Sequence, residues 1–338
     1  MKANTVSIHY LQGLLARAES AGMETRQLLT KRDIPPSLIE EPTARIPSEH
    51  YVSIALEVVQ SVKDEFLMLG GIKRSKPGSF AMMTQSVIHC RSLLRALLMA
   101  TKFYNLFLED VSFKVSKRGE LAYISMRWDN PNMDWDHSTT DGILVLIHRF
   151  FSWLCGQRIL LSEVNLSLAK PAYSDEYQTL FRCPINFCQD NDSLVFPAKL
   201  LDLPVMQTED SLKTFLKEAP GNLIVIPDND NSVTAQVRSI IGKDFREEFP
   251  DFETVAKILN TTPQTLRRRL KQENSSYQEI KDTMRRDAAI YYLSRSQYSI
   301  NEIAELMGFS EPSTFHRAFK KWTGLTPGNY RLHSSSET

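Results

Sequence analysis

Residues 299–330 read SINEIAELMGFSEPSTFHRAFKKWTGLTPGNY in a chain of 338 residues. The spacing in this stretch predicts a helix, a short turn, a second helix and the start of a third. Ser299 and Glu302 have the S-x-x-E spacing of a capping box, which satisfies free backbone N–H groups at a helix start. Gly308 is placed to end the first helix, because glycine enters the left-handed conformation of a helix terminus without steric penalty.

The second helix of this stretch is predicted to begin with Ser310 as its cap and Pro312 in its first turn, where a missing N–H breaks no bond. Its inward face, at helical spacing, consists of Phe315, Ala318, Phe319 and Trp322. Its outward face consists of Ser313, His316, Arg317 and Lys320. A short polar helix in front of a packed support helix is how side chains enter the DNA major groove, so the stretch predicts a helix-turn-helix motif.

A second motif of the same kind lies upstream, in residues 251–271, DFETVAKILNTTPQTLRRRLK. A support helix is predicted over 251–259, and its inward face consists of Phe252, Val255, Ala256 and Leu259. Thr262 then caps a helix that Pro263 opens, with Leu266 and Leu270 turned inward. The residues predicted to face outward on this helix are Gln264, Thr265, Arg267, Arg268 and Lys271.

Residues 276–294 between the two motifs are predicted to form one long amphipathic helix. Two recognition helices on a stiff connector could enter successive major grooves on one face of a duplex, about 34 Å apart. Such an arrangement would bind an asymmetric site as a monomer.

Residues 232–331 resemble the DNA-binding domain of the AraC/XylS transcription regulators. The resemblance is carried by VAKILNTTPQTLRRRL and by the ungapped block INEIAELMGFSEPSTFHRAFKKWTGLTPGNYR. It implies a bacterial regulator, expected to be an activator, that binds promoter DNA and works with RNA polymerase. It also implies base or phosphate contacts for Gln264, Arg267, Arg268, Ser313, His316 and Arg317. Pro312 departs from the pattern, since some members of the family carry a polar base-reading residue at this position.

Charge distribution agrees with a nucleic-acid partner although the net charge of the chain is zero. Residues 254–331 contain 13 Lys and Arg against 7 Asp and Glu, and the rest of the chain contains 27 against 33. Phosphate neutralisation by such basic side chains supplies much of the affinity of proteins for DNA. No apolar run approaches the length of a membrane span and no secretion signal is evident, so a cytoplasmic location without membrane contact is expected.

The remainder of the chain predicts an α+β domain. Helices are expected at 8–21, 48–62, 92–104 and 137–155, a hairpin at 111–115 and 121–126, and a strand at 164–168. Turn-rich breaks at 220–221 and 227–231 precede the motif-bearing region. We therefore expect an effector-sensing and dimerisation domain at 1–205, a linker with a short helix at 206–231, an all-α DNA-binding domain with two helix-turn-helix motifs on a connecting helix at 232–331, and a flexible tail at 332–338.

Residues 6–205 are similar to the arabinose-binding-like sensor domain of a branch of the same family. The similarity is carried by 44–47, by the region 70–78 and by the segment from Cys183 to Phe196. It implies a small-molecule effector and a possible homodimer. The apolar residues expected either to line a pocket or dimer interface or to fill the core are Phe103, Phe107, Leu146, Phe150, Phe151 and Trp153. A helix at 208–218, with Leu212, Phe215 and Leu216 on one side, is expected to relay a signal.

Other functions have weaker support in the sequence. The chain lacks a glycine-rich phosphate loop, G-x-S-x-G and H-E-x-x-H, so no enzyme activity and no cofactor are expected. The acidic and histidine residues Asp134, Asp136, His137 and Asp141 indicate either a polar capping loop or a ligand-contacting loop. Cys183 and Cys188 make at most half a metal site, and reduced thiols without metal are expected. The alternative function is a ligand-binding or dimerisation module that acts through protein partners and binds DNA weakly.

Overall fold

The computed structural model describes residues 5–66, 75–129, 138–219, 221–224, 232–242, 245, 249–273, 275–294 and 297–335. The chain forms two compact units, of which the first combines residues 1–51 with 230–338 and the second is 52–229. These units are drawn differently from the expected domains, because the first 51 residues group with the helix-turn-helix region.

The N-terminal part of the first unit is a small α/β layer. Its elements are β1 (Thr5–Ser7), α1 (Ile8–Ser20), α2 (Thr25–Thr30), a 3₁₀ turn (Pro36–Glu40) and β2 (Arg45–Pro47). β1 and β2 pair antiparallel, with Val6 opposite Ile46. Helix α3 (Ser48–Val62) follows directly, and the boundary between the two units falls within it.

The second unit is an α+β domain. Its helices are α4 (Ser79–Val87), α5 (Leu93–Asn105), α6 (Ser138–Leu154), α7 (Asp175–Phe181), α8 (Glu209–Glu218) and α9 (Gly221–Ile224). Its strands are β3 (Val111–Arg118), β4 (Leu121–Trp128), β5 (Glu163–Asn165), β6 (Ile185–Asn186) and β7 (Asp192–Pro197), followed by a 3₁₀ turn (Ala198–Asp202). They form a five-stranded sheet of order β3-β4-β7-β5-β6, antiparallel except for the β5–β6 pair.

The core of the second unit lies between this sheet and its helices. On β4, Ala122 and Ile124 alternate with partly exposed neighbours, so one face of the strand is turned inward. That face joins Leu144 and Leu154 of α6 in a single apolar cluster. The predicted hairpin is confirmed, with Val115 opposite Ile124.

The C-terminal part of the first unit is helical among its described residues. Its helices are α10 (Val233–Ile241), α11 (Phe252–Ile258), α12 (Pro263–Gln272), α13 (Tyr277–Leu293), α14 (Ile300–Leu306), α15 (Pro312–Thr323) and α16 (Pro327–Ser335). α11 and α12 form one helix-turn-helix motif, α14 and α15 form the other, and α13 connects them. The predicted fold class is confirmed.

Candidate nucleic-acid interface

The first helix-turn-helix motif is held in shape by local caps. The Asp251 carboxylate accepts a hydrogen bond from the backbone N–H of Thr254 and starts α11, and this bond lowers the pKa of Asp251. Asn260 turns the chain with a φ of +49°, the left-handed region that asparagine tolerates better than most residues. The Thr262 hydroxyl then accepts from the backbone N–H of Thr265 at 3.2 Å and starts α12.

The packing of α12 leaves four of its five predicted site residues exposed: Gln264, Arg267, Arg268 and Lys271. Leu266 and Leu270 are buried, as their spacing predicted. Thr265 differs from the other four, because it is half-buried and its hydroxyl lies 2.9 Å from the Thr262 hydroxyl within the cap. The Arg267 guanidinium lies over the ring of Phe252, 5.4 Å from its centroid, so the support helix orients this side chain.

The second motif begins with the predicted capping box. Ser299 accepts from the backbone N–H of Glu302, and the Glu302 carboxylate accepts from the backbone N–H of Ser299, which lowers the pKa of Glu302. Gly308 follows α14 with a φ of +73°, so the predicted left-handed helix end is present.

The cap of α15 corrects one prediction. Glu311, and not Ser310, is the N-cap residue, and its side chain accepts no hydrogen bond from the helix. The reason is the position of Pro312, which disfavours helical geometry in the residue before it. Glu311 is accordingly extended, with φ −121° and ψ 120°, and the helix starts one residue later than the serine would set.

The outer face of α15 carries the predicted polar residues. Ser313, Arg317 and Lys320 are exposed and His316 is half-exposed. Phe315 and Phe319 are fully buried, with ring centroids 5.7 Å apart. The Phe315 side chain also contacts Phe309 in the turn before α15. The helix therefore has one face locked in the core and one polar, partly basic face in solvent.

α13 carries both motifs within the first unit. Ser276 caps it and Ser294 ends it, so the predicted connecting helix is confirmed. Ile280, near its start, belongs to the core cluster of the first motif together with Val255 and Leu266. Ile290 and Leu293, near its end, are also buried.

Contacts between the N-terminal layer and the second motif were missed by sequence reasoning. The Thr43 hydroxyl donates to the carbonyl of Thr323 at the end of α15, at 2.8 Å. The Tyr330 hydroxyl donates to the carbonyl of Arg45. These partners are separated by about 280 residues or more, and no local pattern signals such pairs.

A buried polar group on α13 completes this packing. The Asp287 carboxylate accepts from the Thr5 hydroxyl at 2.8 Å and from Nε of Arg286 at 3.0 Å. The Thr5 hydroxyl in turn accepts from Nε of Arg45 at 2.8 Å. A buried carboxylate with polar neighbours of this kind needs them, because an unsatisfied buried acceptor is costly. β1 and β2 are thereby bonded to the connecting helix.

The candidate effector residues lie in the second unit. Phe150 and Phe151 are buried in the core, and Trp153 stacks on Phe215 of α8 with centroids 4.0 Å apart. Leu212 of α8 is also buried in this core. The remaining candidates, Phe103, Phe107 and Leu146, are partly buried. The apolar side of α8 is thus packed, as its stripe required.

The candidate polar loop is only partly within the described structure. Asp134, Asp136 and His137 lie outside the described residues. Asp141 is fully buried in α6 and accepts a hydrogen bond of 2.9 Å from the Tyr177 hydroxyl, which ties α6 to α7.

Within the described part of the chain, no group of three or more His, Cys, Asp or Glu side chains could hold a metal ion. Burial raises the pKa of Cys183 to about 12, so this thiol is protonated at neutral pH. Cys188, its predicted companion, is exposed. Among the described residues, none of the helices has the length and apolar character needed to cross a membrane.

Comparison with known families gives two matches. Residues 22–205 match the arabinose-binding domain of AraC transcription regulators, and residues 255–333 match a helix-turn-helix domain. The first match alone spans more than half of the chain.

Comparison with individual proteins extends these matches. The ornithine utilization regulator of Pseudomonas aeruginosa is 23% identical over 329 residues, which cover 97% of each chain. The urease operon transcriptional activator of Escherichia coli is 39% identical over 82 residues, or 24% of this chain and 28% of its own. Among solved structures, the transcriptional regulator CdpR from Pseudomonas aeruginosa is 19% identical and covers 96% of this chain and 98% of its own, at a TM-score of 0.34.

Proposed function

Because the chain belongs to the AraC family of transcription regulators, with a helix-turn-helix domain and an N-terminal ligand-binding domain, we propose that it binds specific promoter sites through α12 and α15 together. The observation that supports this proposal is the pairing of two helices on one connector, each with a buried apolar face and an exposed polar face. A helix of this kind is the element that enters a major groove.

In this proposal α15 contacts bases and α12 supplies phosphate contacts. Arg317 reads a base edge, since an arginine can donate two hydrogen bonds to guanine. Ser313 and His316 contact neighbouring bases. Arg268 and Lys271 bind phosphate, because α12 carries more exposed positive charge than base reading requires.

The remaining site residues have supporting roles. Lys320 is exposed one turn beyond Arg317 and contacts phosphate. Gln264 and Arg267 face the groove from α12, the latter oriented by the ring of Phe252. Thr265 contributes through its place in the cap of α12, where its hydroxyl is already engaged.

Regulation is assigned to the N-terminal part of the chain. We infer that residues 1–205 sense a small-molecule effector and pair two copies, that 206–231 link them to the DNA-binding part at 232–331, and that 332–338 form a tail. In this proposal the regulator activates its promoters together with RNA polymerase, and the name of the urease operon transcriptional activator supports the activating role. With DNA as its partner, the protein acts in the cytoplasm.

Mapping of binding sites across the genome of the native host tests the proposal. We expect discrete sites that share a two-part sequence, and Arg317→Ala should weaken these sites by roughly 10-fold or more, as loss of a bidentate base contact does. Lys117→Ala, which removes an exposed cation from β3, is the matched control and should bind as the unchanged protein does. Sites without a shared sequence, together with a specific protein partner, would favour the alternative module.

A further inference from the structure

Arg285 lies between an aromatic ring that packs on the first helix-turn-helix motif and an aromatic ring in the turn of the second. Its guanidinium carbon is 4.3 Å from the ring centroid of Phe249 and 5.1 Å from that of Phe309. Phe249 precedes α11 and packs against the core cluster of the first motif. Phe309 lies in the turn between α14 and α15. One side chain of the connecting helix therefore contacts the segment that packs on the first motif and the turn of the second.

A backbone contact joins the same two regions. Gly308, next to Phe309, has no room for a side chain, because a Cβ there would lie 2.1 Å from the carbonyl oxygen of Phe245. Phe245 is in turn in edge-to-face contact with Phe249, with centroids 5.8 Å apart. The segment before the first motif thus lies directly against the turn of the second.

The contact continues into the second recognition helix. The Phe309 ring centroid is 5.6 Å from that of Phe315 and 6.2 Å from that of Trp322, both on α15. Phe315 is fully buried, so a shift of α15 would displace the Phe309 ring that packs against it. A packed path therefore runs from Phe249 through Arg285 and Phe309 to α15.

The chemistry of Arg285 suits a rigid contact between the two rings, and we call Arg285 with Phe249 and Phe309 the joint. A guanidinium is planar and stacks on ring faces, whereas a lysine ammonium is a compact point charge without a flat surface. The side chain is half-buried, and its Nε makes no hydrogen bond to any residue that the structure describes. Burial lowers the pKa of Arg285, opposed by the nearby charge of Asp282, yet an arginine remains charged at neutral pH. Attraction between a cation and a ring is strongest where water is excluded.

We propose that Arg285 is a positioning residue that fixes the angle and distance between α12 and α15, and so sets which spacing of two half-sites the protein accepts. This inference rests on the proposed function for its consequence at DNA, but the geometry can be tested without DNA.

The same helix offers a matched control. Lys281, one turn before Arg285, places its Nζ 4.8 Å from the ring centroid of Tyr277. Both residues belong to α13, so this cation–ring contact links nothing across the two motifs. Lys281→Met removes a cation and a ring contact while leaving the joint intact.

The experiment measures the distance between the motifs in the full chain by pulsed electron paramagnetic resonance. Nitroxide labels are attached at Lys257→Cys on α11 and Lys321→Cys on α15, both exposed positions. Cys90 and Cys188 are replaced by serine so that the accessible thiols do not react. We expect a narrow distance distribution, at least a twofold broadening in Arg285→Met, and no change in Lys281→Met.

An unchanged distribution in folded Arg285→Met would overturn the proposal. If circular dichroism shows that this variant does not fold, Phe249→Leu and Arg285→Lys decide instead. Phe249→Leu keeps an apolar side chain and Arg285→Lys keeps the charge, but each weakens the stacking, so each should broaden the distance distribution. If both variants give the same width as the unchanged protein, the proposal is refuted.

A second measurement tests the consequence for DNA. Duplexes selected from a random pool by the unchanged protein are altered by one base pair between their half-sites. The unchanged protein should lose at least 10-fold in affinity, and Arg285→Met should lose less than half of that factor. If the unchanged protein and Arg285→Met lose the same factor in affinity, Arg285 does not set the half-site spacing that the protein accepts. Failure to select any sequence, with the broadening still present, would instead count against the proposed function alone.

Discussion

Gly324 ends α15 in the left-handed region, and a Cβ at this position would lie 2.2 Å from the hydroxyl oxygen of Thr43. That hydroxyl donates the hydrogen bond to the carbonyl of Thr323. Gly324→Ala must therefore displace either Thr43 or the end of α15. We expect it to loosen the packing of the N-terminal layer on the second motif.

The magnitude follows from a comparison with Gly22, which has nearly the same φ of +78° but no atom within 4 Å of the position that an added Cβ would take. A left-handed alanine costs about 1–2 kcal/mol, partly offset by about 0.4–1 kcal/mol of lost chain entropy in the unfolded state, so Gly22→Ala should cost about 1 kcal/mol. Gly324→Ala adds a lost hydrogen bond of about 0.5–1.5 kcal/mol and overpacking of about 1–3 kcal/mol. We expect a total of roughly 3–5 kcal/mol.

Hydrogen exchange read by mass spectrometry measures this local effect. Peptides from residues 41–51 and from α14 to α16 should exchange faster in Gly324→Ala than in Gly22→Ala, by about 10-fold for each ~1.4 kcal/mol of additional destabilisation. A Thr43→Ala background removes the hydroxyl at 2.2 Å and leaves only the Cβ of residue 43, at 3.2 Å, so Gly324→Ala should cost less there than in the unaltered background. Equal effects of the two glycine substitutions in the unaltered background would refute the packing of residues 5–47 on the second motif.

Three further outcomes are expected. Arg268→Ala should lower the slope of log affinity against log salt by roughly one phosphate contact and weaken all sequences alike, as titration of binding at several salt concentrations would show; a constant slope would exclude phosphate contact. Phe319→Ala should destabilise the first unit by about 3–5 kcal/mol in urea unfolding, because its ring is fully buried against Phe315 and Tyr330; a loss below about 1 kcal/mol would mean that the ring is not in the core. Burial, reinforced by nearby arginines, lowers the pKa of His148 to about 3, so between about pH 6.5 and pH 3 the unfolded chain binds a proton at His148 that the folded chain does not bind. The free energy of unfolding should therefore fall as the pH falls through this range. His148→Gln should make the free energy of unfolding depend less on pH there, and an unchanged dependence would show that His148 is not its source.

The two motifs were predictable because their signals are local. Ser299 and Glu302 are three residues apart, and Gly308 and Pro312 act on the backbone at their own positions. Caps and helix ends of this kind depend on neighbours within one turn. The same holds for the hairpin of β3 and β4, whose alternating residues sit on either side of a short turn.

The cap of α15 was misplaced because two local signals competed. Ser310 is a good cap residue, but the extended geometry that Pro312 imposes on Glu311 decided the helix start. The error is a single residue, and it changes which side chain lies at the end of the helix.

The joint at Arg285 and the contacts of Thr5, Thr43 and Arg45 could not be predicted from local patterns. Each depends on partners far away in the chain, and the residues themselves have ordinary spacing. The sequence identified the apolar residues of the second unit as a group. It could not decide whether they line a pocket or fill the core, because both are built from the same kinds of residue. Phe150 and Phe151 are buried in the apolar cluster of the second unit, and their part in a pocket stays a prediction.

The contacts of the N-terminal layer also change how the chain should be divided for experiments. A fragment that lacks residues 1–205 loses Thr43 and Arg45 along with most of the second unit, so the hydrogen bonds that these residues make to Thr323 and Tyr330 are lost. Loss of DNA binding in such a fragment would not by itself identify a sensor. Substitutions in the full chain avoid this ambiguity.

Hydroxyl-radical footprinting of the full chain on a selected duplex tests the central claim most directly. We predict two protected segments about one helical turn apart on the same face of the DNA, one for each recognition helix. Gln264→Ala with Arg267→Ala should weaken one segment, and Ser313→Ala with Arg317→Ala the other. A single protected segment that responds to only one pair of substitutions, or protection with no sequence preference, would contradict the account.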